Sequence, residues 1–387
     1  MAPIPIPQGW TWDDLVERLE QRLDLETTAR AKGAIVRTRV IKTAAQLLRL
    51  ILAYVLSGLS LRGTATWAEA GDHASLSDVA LLKRMRKCGP WLSHLVSIVA
   101  ALDCPEAAIG EDGRRVLAVD GSMICSPGDK KNYHILHTVY DVGAQCFIGT
   151  ELTDRHTPER LDVCGVETGE IRLGDRVYGR WRDLRAVTRA GADYVVRLSS
   201  TALALRTLKG ETFDRGDLCE RAAVAGVLDE AVAIHDARSG EHMAARVLVL
   251  ALPPEQAEEA RRVARKKARK WGYTIGKKAL ATAGSLMLIT SLPRDVWPVS
   301  RILALYRRRW QVELAFKRLK SLMGLEELRV HDAELVRVWV HAVLLVALLI
   351  DAERPSAPHE RPDSPRSGEN KEDQFRSGDL SHCSALD

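Results

Sequence analysis

Three carboxylates stand out on a basic chain. Asp120 closes the apolar run "RRVLAVD" and is followed by Gly121 and Ser122, Asp175 sits in "GDRVYG", and Glu313 is the one acid in "YRRRWQVELAFKRLK". That last stretch, Tyr306 to Lys320, holds six Lys/Arg and three aromatic rings. Carboxylates bind Mg2+ or Mn2+, and two such ions about 4 Å apart stabilise both the attacking and the leaving oxygen of a phosphodiester. Acids on a cationic protein therefore suit metal-assisted chemistry on a nucleic acid, with the cations attracting the polyanion and the acids holding the metals. Each acid also has an ordinary structural use. Glu313 can pair with Arg309 and Lys317 within one helix, each pair stabilising by about 0.3–0.5 kcal/mol. Asp120 and Asp175 can cap or turn the chain where an element ends.

These residues need elements to position them. At about 100° per residue, Tyr306, Arg309, Glu313 and Lys320 fall on one helical stripe roughly 60° wide. Leu305, Val312, Phe316 and Leu319 lie beside it as an apolar seam that docks the helix. Asp120 is expected where a buried strand ends and opens toward solvent, and Asp175 where a short segment gives way to a turn.

Charge and length bound the partners. The chain of 387 residues carries a formal +5, and from Asp351 to the end nine acids face five Lys/Arg, leaving +9 on residues 1 to 350. A basic folded part favours a polyanionic partner, although a solvated basic surface has the same composition. The one long apolar run, Val338 to Ile350, contains His341 and is shorter than the roughly 20 residues that cross a bilayer, so neither a membrane span nor a signal peptide is expected. Seven widely spaced cysteines without a C-x-x-C pair suggest neither a disulfide framework nor a zinc site, which fits the cytoplasm.

Along the chain the pattern changes several times. Helices are expected first: "TAAQLLRLILAYVLSGLSL", and "SLSDVALLKRMRKCGP" with Ser77 as N-cap and Gly89-Pro90 as its stop. The cations Lys83, Arg84, Arg86 and Lys87 suit a helix C-terminus and equally a DNA-facing surface. From Arg114 strands follow: "RRVLAVD", then two in "YHILHTVYDVGAQCFIGTELTD" around a turn at Gly143. A helix near Arg160 to Ile171, a helix from Trp181 to Arg189 and the strand "ADYVVRL" complete a mixed α/β pattern. Residues 200 to about 290 interrupt it with the strands "RVLVLALP" and "SLMLITSLP" around the basic helical segment "EQAEEARRVARKKARKWG". Its run Arg261 to Lys270 is a second candidate contact to a DNA backbone. Helices resume at Pro298, and after Asp351 a Pro-, Ser- and charge-rich tail cannot bury enough apolar surface to fold.

The spacing of Tyr306, Arg309, Glu313 and Lys320 resembles the Y-R-E-K signature of the IS4-type family of bacterial insertion-sequence transposases. "VDGS" around Asp120 and "GDRVYG" around Asp175 look like the family's two other acidic motifs, and the likeness runs over residues 35 to 350. It implies an α/β fold: an RNase H-like catalytic domain with a β-rich insertion between the second Asp and the Glu, preceded by a helical N-terminal region. On this chain that gives a DNA-binding region at 1–105, the catalytic domain at 106–200, the insertion at 201–292, the C-terminal helices with the Glu at 293–350 and the tail at 351–387.

The resemblance also implies chemistry. Asp120, Asp175 and Glu313 would ligate two divalent ions, Mg2+ or Mn2+, for cleavage at element ends and strand transfer by the freed 3′-OH. Tyr306, Arg309 and Lys320 would grip the DNA phosphates, with Arg308 and Lys317 as further DNA contacts. The partners implied are double-stranded DNA, both terminal inverted repeats and target, and a second copy of the chain in a synaptic homodimer. The expected location is the bacterial cytoplasm, on the nucleoid. Members of the family commonly stack a flipped base on a tryptophan just before the "LITSLP"-like strand, where this chain has Ser285 and Leu286. Trp297 and Trp310 are expected to pack in the core. A remnant that binds DNA without catalysis, or an RNase H-like nuclease without sequence preference, would share the fold.

Overall fold

The computed structural model describes residues 11–102, 111–126, 129–199, 203–315 and 328–352. They form two compact units: one takes in the chain to Gly174, Arg189–Ala192 and the chain from Ala304, the other Asp175–Thr188 and Asp193–Leu303.

The first unit begins with six helices: α1 (Trp12–Arg22), α2 (Leu25–Ala31), α3 (Ala44–Leu56), α4 (Leu61–Ala70), α5 (Asp78–Met85) and α6 (Gly89–Leu102). The first five each start on a polar cap, Thr11, Asp24, Thr43, Ser60 and Ser77, whose side-chain oxygen accepts a backbone N–H of the first turn. Ser77 caps as its position in the sequence requires. The expected stop does not hold: α5 ends at Met85, and Gly89-Pro90 opens α6. Proline fits the first turn of a helix because its missing N–H would have no helical partner there. Of the basic cluster behind Ser77, Arg84 donates to the Ala34 carbonyl at 3.2 Å and Arg86 to Asp332 at 2.8 Å, so these two cations have partners within the protein.

Four strands follow, hydrogen-bonded in the order β3-β2-β1-β4. Strands β1 (Val116–Ser126), β2 (Asp129–Asp141) and β3 (Cys146–Asp154) run antiparallel as a meander, and β4 (Ile171–Gly174) lies parallel to β1. The turn after β2 contains Gly143 as expected; Gly143 and Ala144 donate to Asp141 Oδ1 at 2.9 and 3.0 Å. The helix expected near Arg160 to Ile171 does not form. Cys164, Gly165 and Gly169 take left-handed backbone angles, φ 60°, 78° and 87°, which break the helical repeat, and Ile171 begins a strand.

The unit closes with α12 (Ala333–Ala352), which packs against α6 and α3. Its 20 residues exceed the apolar run read from the sequence, and Ala333–Ile350 is long and apolar enough to cross a membrane; here most of that stretch is buried inside the unit. His341 lies within it, its Nδ1 2.7 Å from the Arg337 carbonyl, and burial pushes its pKa down to about 4, so it packs as neutral imidazole.

The second unit holds α7 (Trp181–Arg189, all but its last residue) and five strands hydrogen-bonded in the order β5-β9-β8-β7-β6. The strands are β5 (Asp193–Arg197), β6 (Ala204–Arg206), β7 (Val227–His235), β8 (His242–Ala251) and β9 (Ser285–Thr290), every neighbouring pair antiparallel. Three helices accompany them: α8 (Arg215–Ala225), α9 (Pro254–Lys270) and α10 (Lys277–Ala283). Arg246 on β8 ties this unit together. Its buried guanidinium donates to Asp229 on β7 and to the carbonyls of Leu292 and Trp297, at 2.7 and 3.0 Å, in the segment that leads into α11 (Val299–Arg308).

Candidate active site

Asp120 stands on β1 directly after the buried run Val116 to Val119. The strand does not end there, as the sequence suggested, but continues to Ser126; what ends is its parallel partner. The last β1–β4 pair is Ala118 with Leu173, so Asp120 lies two residues past the end of the parallel ladder on one strand. Asp175 lies two residues past it on the other. Across β2, Asp120 faces Thr138, whose buried hydroxyl has no hydrogen-bond partner among the described residues.

Asp175 precedes a short 3-10 turn at Arg176–Tyr178 in the N-cap position, yet its side chain makes no capping hydrogen bond. Its Oδ1 is buried and has no hydrogen-bond partner among the described residues. The ordinary use of such an aspartate is therefore not exercised here, and a buried acceptor without a donor is costly unless something else satisfies it.

Glu313 comes from the helical region after Pro298, which is not one continuous helix. α11 stops at Arg308, Arg309 forms a turn, and residues 310–315 are helical again. Arg309 N–H donates to the Tyr306 carbonyl and Val312 N–H to the Arg309 carbonyl, both at 3.1 Å and both three residues apart, so the backbone tightens to a 3-10 turn at Arg309. Even so, Arg309 and Glu313 stay on one face. Arg309 Nη2 donates to Glu313 Oε1 at 2.5 Å, and its guanidinium lies 5.6 Å from the Tyr306 ring centre. The intrahelical ion pair is thus present. Arg308 is the half-buried last residue of α11. Lys317 and Lys320 lie outside the described residues.

Three of these groups share one field within the first unit. Burial pushes the Asp120 carboxyl up to about 7; Arg309 opposes that shift, and Glu313 and then Glu159 add to it. Asp120 and Glu313 are far apart in sequence and are brought into electrostatic range by the fold. Glu159, from the turns between β3 and β4, is a residue that sequence reasoning missed. It closes on β1 because Gly121 has no side chain: a Cβ there would stand 2.7 Å from Glu159 Oε1. That glycine immediately after Asp120 is the one local signal of a close approach.

Among the described residues, no three His, Cys, Asp or Glu side chains are gathered closely enough to hold a metal ion as they stand. The chemistry of the donors nevertheless suits one. Carboxylate oxygens are the ligands of hard divalent cations, and Asp175 presents one that is buried and unsatisfied.

Elsewhere, Ser285 and Leu286 are ladder residues of β9, paired with Ala251 and Leu250, and cannot offer a ring for stacking. Trp297 is a core residue, 1% exposed, with the Arg301 guanidinium 4.0 Å over its ring. Trp310 is half-buried.

The family model for a transposase DDE domain matches residues 111–349, more than half of the chain. The chain belongs to the DDE transposase family. Over 347 residues the transposase is 38% identical to the transposase for insertion sequence element IS421 of Escherichia coli, a match covering 88% of this chain and 93% of that relative. It is equally similar, 38% over 346 residues with the same coverage, to InsL of insertion sequence element IS186A from Escherichia coli K12. A more distant relative, the transposase for IS231B of Bacillus thuringiensis subsp. berliner, is 25% identical over 187 residues, 45% of this chain and 37% of the relative. These likenesses make it an IS4-type transposase, and such domains depend on divalent metal ions.

Proposed function

We propose that this transposase cuts DNA at the ends of its own insertion sequence and joins the freed 3′-OH to target DNA, with Asp120, Asp175 and Glu313 as the ligands of two ions, Mg2+ or Mn2+. The observation that carries this reading is the neighbourhood of Asp120: a carboxyl on a buried strand raised to about 7, with the charges of Glu313 and Arg309 acting on it from a distant helix. Acids that feel one another's charge in a partly buried place repel, and a divalent cation would relieve both the repulsion and the burial cost. When bound, the ions supply an activated water or 3′-OH and stabilise the leaving oxygen.

The rest falls to the protein's own groups. Asp175 adds a buried oxygen that has no hydrogen-bond partner among the described residues. Arg309 fixes the Glu313 side chain through Oε1 and, with Tyr306, Arg308, Lys317 and Lys320, is proposed to hold the phosphates beside the cut. The order β3-β2-β1-β4, with β1 and β4 parallel, supports an RNase H-like catalytic core at 106–200 and 293–350, and the antiparallel strands β6–β9 support an insertion at 201–292. In this reading the helices of 1–105 recognise terminal inverted repeats, two copies synapse two ends as a homodimer, and the work is done on the bacterial nucleoid in the cytoplasm.

A joining assay tests the proposal. Full-length protein, a linear DNA ending in the element's terminal repeats, a supercoiled plasmid and Mg2+ or Mn2+ should give plasmid covalently joined to the 3′ end. Nicked plasmid without joined product would point instead to a nuclease. End binding without either product would point to a remnant that only binds DNA.

A further inference from the structure

Strand β2 carries a hydroxyl that the protein on its own does not use. From Ile135 to Asp141 every residue of the strand is buried, and among the apolar side chains Ile135, Leu136, Val139 and Tyr140 two polar ones stand together, His137 and Thr138. His137 has a partner for one ring nitrogen, its Nε2 lying 2.8 Å from Thr153 Oγ1. Thr138 is 0% exposed, and its Oγ1 has no hydrogen-bond partner among the described residues. Valine has the same shape, suits a strand equally well and brings no polar atom into the interior. A hydroxyl buried without a partner is destabilising, so threonine at this position is a cost that the packing around it does not offset.

The register says what the hydroxyl faces. Thr138 is paired directly with Asp120 on β1 and, on its other side, with Thr150 on β3. Residues directly opposite in antiparallel strands point to the same face with their Cβ atoms about 4.5–5.5 Å apart, which is within reach of a hydroxyl–carboxylate hydrogen bond. Of the two neighbours the carboxylate is the stronger acceptor, because its charge strengthens the bond. A carboxylate also has more acceptor positions than one metal ion occupies, and a metal-ligating carboxylate is itself ordinarily held by a hydrogen bond.

We infer that Thr138 is a positioning residue for Asp120: when Asp120 takes up a divalent ion, the Thr138 hydroxyl donates to the carboxylate oxygen that the ion leaves free and fixes the orientation of the group. The inference rests on the metal-ligand role proposed above for Asp120 and adds a residue from a neighbouring strand to it.

The test uses the full-length protein with Mn2+ alone as the probe, its affinity read from the electron paramagnetic resonance of the free ion, together with melting temperatures of the metal-free protein. Thr138→Val, which removes the hydroxyl and keeps the shape, should bind Mn2+ about tenfold or more weakly than wild type. Its strand joining should half-saturate at correspondingly higher Mn2+, and without metal it should melt no lower than wild type. Thr138→Ser, which keeps the hydroxyl, should bind Mn2+ like wild type. A valine variant that binds Mn2+ as tightly as wild type, or a serine variant that loses as much affinity as the valine one, overturns this inference alone. So does a valine variant that melts lower than wild type without metal, since the hydroxyl would then be serving the fold. Wild type that binds Mn2+ no better than Asp120→Asn overturns the proposed metal site as well.

Discussion

Glu313→Gln should abolish strand joining, by about three orders of magnitude or more, while leaving binding to element ends and the melting temperature close to wild type. The amide keeps the size of the side chain and still accepts the Arg309 hydrogen bond now made to Oε1 at 2.5 Å. Trading a charge-assisted bond for a neutral one at a partly exposed position should cost about 1 kcal/mol of stability. Losing a charged ligand should cost ~4 kcal/mol of transition-state stabilisation, which is the thousandfold. The two roles open to Glu313 therefore separate by kind of effect. If joining persists in the glutamine variant, Glu313 is the partner of Arg309 and nothing more.

The largest expected effect on stability lies elsewhere, at Arg246→Met. The guanidinium is 9% exposed, donates to both oxygens of Asp229 and serves the carbonyls of Leu292 and Trp297. Burial alone would raise the Asp229 pKa, and hydrogen bonds from Arg246 and then Arg294 outweigh it and hold the carboxyl ionised below its usual value. Methionine fills much of the space but leaves two buried carbonyls without a donor and Asp229 with Arg294 alone. Breaking such a buried arrangement costs about 3–5 kcal/mol, or roughly ten degrees in the melting temperature of the second unit. Calorimetry showing a shift of under about two degrees would mean that Arg246 is replaceable.

Several of the elements that carry these residues could be read from residue types and spacing because the signals are local. An apolar run meeting an acid placed Asp120 on a buried strand, although the strand runs on past it, and the turn around Gly143 placed the β2–β3 hairpin. Arg309 and Glu313, four residues apart, stayed on one face even though the helix between them tightens. That tightening itself was not legible, because periodicity assumes a constant turn and the backbone departs from it at Arg309. The helix expected at Arg160 to Ile171 failed for a related reason: apolar spacing does not reveal that Cys164, Gly165 and Gly169 adopt left-handed angles. Gly89-Pro90 was legible as punctuation but not in its direction, since the pair can end one helix or begin the next. Glu159 was out of reach. Its approach to Asp120 is a long-range packing event, marked in the sequence only by the missing side chain of Gly121.

The central claim is that the three acids hold divalent metal, and a change of ligand chemistry tests it most directly at Asp175, whose buried Oδ1 has no other partner among the described residues. Asp175→Cys replaces a hard oxygen with a soft sulfur, which Mn2+ tolerates better than Mg2+. Strand joining by the variant should be lost in Mg2+ and recovered in Mn2+, with wild type active in both. Equal activity of the variant in the two metals, or no recovery in Mn2+ by a variant that still binds element ends, would contradict the assignment of Asp175 as a metal ligand.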